Sequence, residues 1–126
     1  MKKFSTEWKS SRKPRKQRKY KFAAPLHIRQ KFVHSHLSKE LRLKYKKRSL
    51  GVRKGDKVKI MRGSFKKLEG KVERVNLTDS KIFVTGIENS KKDGTKKQAA
   101  FDSSNIMIIE LNMDDKLRQK TLEVSK

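Results

Sequence analysis

The chain contains no cysteine, which excludes a disulfide framework and any thiolate metal site. That absence fits an intracellular protein. No apolar run approaches the roughly 18–20 residues needed to span a bilayer, so membrane insertion is not expected. The opening MKKFSTEWKS lacks the apolar core of a signal peptide. Apolar residues are only 33% of the 126 and charged residues 39%, too little apolar material for a core along the whole length. One small domain with extensions is the expected organisation. Acid is scarce in one half: residues 1–50 hold 18 Lys/Arg against 2 Asp/Glu, and residues 51–126 hold 18 against 11.

A net charge of +23 repels itself and calls for a polyanion before the first half can be compact. Nucleic acid is the expected partner, with a membrane surface as the blander competitor. Catalytic chemistry is missing. His27, His34 and His36 all sit in the basic half. On a helix, His34 and His36 would face opposite sides, and no carboxylate cluster completes a metal site there. Gly51, Gly55 and Gly63 form neither a dinucleotide fingerprint nor a P-loop. No enzyme site, metal or cofactor is expected.

Four segments follow along the chain. Residues 1–24 are a basic extended arm without sustained periodicity, unable to bury enough surface to offset its ordering entropy. Tyr20 and Phe22 follow its cations and either stack on bases or tuck against the domain. Residues 25–50 read as short basic helices packing on the domain and on RNA. Pro25 suits a first helical turn, and Ser38 a cap with Glu40 behind it. Leu37, Leu41 and Tyr45 make a narrow apolar stripe. Residues 51–112 turn to strand patterns, and 113–126 form a tail or short helix with Asp114 and Asp115 at its start.

VRKGDKVKIMRGSFKKLEGKVERV, residues 52–75, carries the sharpest signal. Gly55-Asp56 is a turn pair, because glycine accepts positive φ and Asp hydrogen-bonds its own downstream backbone. Val58 and Ile60 alternate with Lys57 and Lys59, as in a half-buried strand. Gly63, Phe65 and Gly70 then punctuate a loop carrying Arg62, Lys66 and Lys67. Phe65 either offers a stacking platform or packs back on the domain. The spacing of Val72 and Val75 breaks strict alternation and predicts a bulge. Further strands are expected at 81–87, 98–101 and 106–111, with a hairpin tip at Asp93-Gly94. Five short strands in about sixty residues fit a mostly β, SH3-like five-stranded barrel.

Residues 52–75 resemble the KOW motif of ribosomal proteins and transcription elongation factors, its glycine mapping to Gly70. The flanks are more specific. APLHIR (24–29), LSKELRLKY (37–45) and SNIMI (104–108) are similar to the KOW-domain family of large-subunit ribosomal proteins, number twenty-four in the universal scheme and twenty-six in eukaryotes. The resemblance is to the archaeal and eukaryotic type and covers about residues 12–118, with a short tail that favours the archaeal form. Relatives often carry a His-Pro pair where this chain has Phe101-Asp102-Ser103.

The resemblance implies a cytoplasmic protein that binds large-subunit ribosomal RNA in its 5′ domain, near the nascent-peptide exit. Exit-rim proteins would be its neighbours, and it would support subunit assembly. A KOW-type transcription elongation or antitermination factor is the alternative, and a histone-like DNA binder the third. Charge and motif together nominate RNA contacts at Arg12, Lys13, Arg15, Lys16, Arg18, Lys19 and Lys21 in the arm. His27, Arg29, Lys31, Arg42, Lys44, Lys46, Lys47 and Arg48 follow in the helical segment. Arg53, Lys54, Arg62, Phe65, Lys66 and Lys67 complete the set, with Gly55, Asp56, Gly63 and Gly70 as structural positions of the motif.

Overall fold

The computed structural model describes residues 4–123. The first three residues of the arm and the last three of the tail, Val124 included, lie outside that range. A 3-10 turn at Thr6–Ser10 leads into helix α1 (Pro14–Ala23), which opens on proline at a position where the missing N–H costs nothing. The expected extended arm is therefore largely helical. α2 (Leu26–Arg29) follows Pro25, which serves as its cap, and continues as a 3-10 turn over Gln30–Phe32. Strand β1 (His34–Leu37), helix α3 (Lys39–Tyr45) and strand β2 (Ser49–Gly51) close the N-terminal part. Ser38 caps α3 as expected, its hydroxyl accepting from Leu41 N at 3.4 Å.

The five predicted strands are present as β3 (Lys57–Ile60), β4 (Glu69–Asn76), β5 (Lys81–Ser90), β6 (Lys96–Asp102) and β7 (Ile106–Glu110). They do not close as a five-stranded barrel. Among the described residues the sheet has seven strands in the order β2-β1-β7-β3-β4-β5-β6, with β2 and β6 at its open edges. The two extra strands arise because Ser35 and Leu37 alternate inward between His34 and His36. β1 then finds a parallel partner in the distant β7, pairing His36 with Met107 and Leu37 with Ile108. Ser35, buried, donates from Oγ to Ser103 O at 2.7 Å. The mostly β character, the basic N-terminal helices and a C-terminal helix α4 (Lys116–Glu123) stand.

A single apolar cluster lies under the bent sheet, built from Val33, Leu37, Val58, Ile60, Val72, Ile82, Val84, Phe101, Ile106 and Ile108, with others. The predicted bulge is real: the β4–β5 register shifts between Val72 and Arg74. A second shift between Phe83 and Glu88 accompanies Gly86 in the β5–β6 pair. These breaks bend the sheet so that strands from both ends reach one core. The β5–β6 hairpin tip holds as read, with Asp93 Oδ1 accepting from Thr95 N at 2.9 Å and Thr95 Oγ1 at 2.6 Å. Those bonds keep the Asp93 carboxyl below its ordinary range.

Within the motif, two residues act differently from the sequence expectation. Asp56 does not bond its own downstream turn. It is wholly buried and accepts from Arg53 N (2.9 Å), from Asn112 N (2.9 Å) and from both terminal nitrogens of Arg118 (2.6 and 2.8 Å). Gly55 beside it takes φ +90°, and a Cβ there would stand 2.5 Å from Asn112 Nδ2. Gly70 needs no unusual φ. It lies in β4 opposite Val58, where a Cβ would meet Val84 Cγ1 at 2.6 Å and Thr85 O at 3.1 Å. Its requirement is the close approach of β5.

Candidate nucleic-acid interface

α1 is polar almost all round, and Tyr20 is its one buried side chain. Tyr20 is buried between Phe4 (centroids 5.0 Å apart) and Phe32 (5.9 Å). The rest of the helix faces water with Arg15, Arg18, Lys19 and Lys21, preceded by exposed Arg12 and Lys13. Lys16 is half-buried, its Nζ 3.3 Å from the Trp8 ring centroid, a cation–π contact that fixes the preceding turn. The two aromatics of the arm thus part company: Tyr20 tucks in, whereas Phe22 is 83% exposed.

In the helical segment, His27 and Lys31 are exposed. Arg29 is turned inward instead. Its guanidinium donates to Ala24 O (2.8 Å), Phe22 O and Thr78 O, tying the end of α1 to the β4–β5 turn. Arg42 is half-buried and donates from Nε to Leu37 O at 2.8 Å. Lys47 donates to Thr121 O at 2.6 Å, joining the end of α3 to α4. Lys44, Lys46 and Arg48 remain exposed, with Lys46 closing α3 in the left-handed conformation at φ 51°. Arg29, Arg42 and Lys47, three of the residues nominated for RNA contact, therefore carry bonds to protein carbonyls.

His34 and His36 lie on β1, not on a helix, so two residues apart places them on the same face. Burial holds the His34 pKa below its ordinary value. Among the described residues no group of three or more His, Cys, Asp or Glu is placed to hold a metal ion.

The β3–β4 loop brings Arg62, Lys66 and Lys67 out to solvent together. Gly63 turns the loop at φ +90°, and Lys67 sits at φ 75° with its N–H on Ile60 O at 2.9 Å. Phe65 is the exception. It packs against the core and meets Phe101 edge-on at 6.0 Å, so it is no free stacking platform. Phe101 supplies the ring that receives Phe65. Arg53 and Lys54 are exposed, with Arg53 paired to Asp115.

A family model described as ribosomal proteins L26 of eukaryotes and L24 of archaea matches residues 11–125. The chain belongs to this family. Large ribosomal subunit protein uL24 of Methanothrix thermoacetophila is 51% identical to it over 110 residues, 87% of this chain and 95% of that relative. The ribosomal-family match takes in every nominated RNA-contact residue, from Arg12 to Lys67, and leaves Phe4 and Trp8 before it.

Charge is partitioned across this ribosomal-family fold. The ion pairs between described residues engage Arg53, Lys57, Lys59, Lys81 and Arg118. Acid in the sheet half thus pairs with some of its cations, while among the described residues no ion pair engages a cation of α1. Sequence reasoning missed Arg118, which is 4% exposed and forks onto Asp56. The available signal was its spacing four before Leu122, which puts both on the buried face of α4.

Proposed function

We propose that the chain is a structural constituent of the large ribosomal subunit in the cytoplasm. It binds large-subunit ribosomal RNA in the 5′ domain, near the nascent-peptide exit, and supports subunit assembly and translation. Membership of a ribosomal protein family carries this proposal. The exposed cations of α1 and of the β3–β4 loop supply its chemistry. Each phosphate they neutralise releases condensed counterions, giving tight and salt-sensitive binding. The sheet is the docked body, and α1 reaches along the RNA. Proteins of the exit rim are its neighbours, and no catalytic step is assigned to it.

The test is sedimentation of the tagged full-length chain, together with binding to separate large-subunit RNA domains and to duplex DNA. Co-sedimentation with the large subunit and preference for the 5′ domain are expected. Preference for DNA, or recovery with RNA polymerase rather than with the subunit, would sink the proposal. Crosslinking in the particle is expected at Arg12–Lys21 and Arg62–Lys67, and more weakly at Arg29, whose three nitrogens each donate to a protein carbonyl.

A further inference from the structure

Phe22, at the end of α1, is more exposed than any other large apolar side chain among the described residues. It borders a cleft of about 570 Å³ whose walls include Arg18, Lys21, Ser80, Ser103 and Ser104. Two carboxylates also line the cleft. Asp102 is offset by Lys81 at 2.7 Å, whereas Asp79 accepts only from the neutral Asn76 amide at 2.8 Å and keeps its charge. Arg18, Lys21 and Arg29 outnumber that one charge, so the lining is net cationic. The backbone that carries the ring is tied down, because Arg29 donates to the Phe22 carbonyl and, through Thr78 O, links it to the β4–β5 turn.

The geometry points to a binding site for one unpaired RNA nucleotide, its base stacked on Phe22 and its phosphate held by Arg18 and Lys21. This rests on the RNA-binding function proposed above and adds to it a single-stranded site. An aromatic face accepts any base, and flanking cations track the backbone beside it. The seryl hydroxyls that line the cleft offer donors and acceptors to a base edge. Holding the Phe22 backbone in advance through Arg29 lowers part of the ordering cost of binding. An apolar protein partner fits this rim poorly, since burying Arg18 and Lys21 without anions is costly.

The test uses the full-length chain with an oligoadenylate strand and an RNA duplex of equal length. In a Trp8→Phe, Phe22→Trp chain, the introduced indole is expected to lose emission on adding the strand and not on adding the duplex. Phe22→Leu should weaken strand binding by about 5- to 150-fold while leaving the salt slope and the melting temperature unchanged. Arg18→Ala with Lys21→Ala should instead flatten the salt slope. Unchanged strand affinity in Phe22→Leu, or equal loss on strand and duplex, overturns the single-stranded site alone. A wild-type chain that binds neither RNA overturns the underlying RNA-binding function as well. Loss of subunit incorporation with strand binding intact would assign Phe22 to a protein neighbour, and so also overturns the site.

Discussion

Asp56 shows how a motif residue recognised for one role serves another. Its carboxylate is the acceptor for four donors drawn from three parts of the chain: Arg53 N, Asn112 N and the Arg118 fork. Asp56→Ala would strand a guanidinium that is 4% exposed. It is expected to cost about 3–5 kcal/mol, read as a lowered urea midpoint. Adding Arg118→Met should recover much of that loss, because an apolar replacement removes the unpaired charge. His34 sets a pH dependence. Its folded pKa lies below the ordinary 6.5, so the folded state binds fewer protons than the unfolded chain in that range. Stability from this group is complete above 6.5 and declines as pH falls through the lowered folded value. Melting curves between about pH 7.5 and 5.5 should fall less steeply for His34→Gln than for the natural chain.

Among the elements, β3 to β7 were readable because alternation and turn residues lie within each segment. The break at Val72 and Val75 even located a bulge. α1, β1 and β2 were not readable. α1 has only Tyr20 on its buried side, too narrow a stripe for a periodic signal. β1 is four residues long, and besides the neighbouring β2 its partner is β7, adjacent in the sheet but distant in sequence. The loop and the arm can be tested separately. Neutralising Arg62, Lys66 and Lys67 together should weaken RNA binding and flatten its salt dependence, measured by filter binding across a salt series. Removing residues 1–22 takes away ten Lys/Arg and should reduce that slope further. The deletion should leave cooperative unfolding by circular dichroism intact, since the core cluster begins at Val33. A small loss is expected where Tyr20 no longer covers Phe32.

For the molecule as a whole, salt should act with opposite signs on folding and on function. The free chain carries +23 and repels itself, so added salt should raise its melting temperature by screening. The same salt should weaken its hold on RNA, because counterion release then gains less. Differential scanning fluorimetry with and without a large-subunit RNA fragment checks both: the curves should converge as salt rises. The sheet carries part of its own neutralisation in the Lys57–Glu110, Lys59–Glu69 and Lys81–Asp102 pairs, so its folding should depend less on salt than the RNA binding of α1 does.

Composition and local pattern were enough for the polyanionic partner, the five central strands and the ribosomal family resemblance, because charge, alternation and short motifs are written in neighbouring residues. They were not enough for the open seven-stranded sheet or for the duties of individual cations. Arg29, Arg42, Lys47 and Arg118 look like their neighbours in the sequence, yet each donates to protein oxygens. Phe65 and Phe22 likewise exchange roles, one packed on Phe101 and the other left in water. Whether a cation or a ring meets RNA depends on which distant carbonyl, carboxylate or ring comes within reach. That is settled only when the chain has folded.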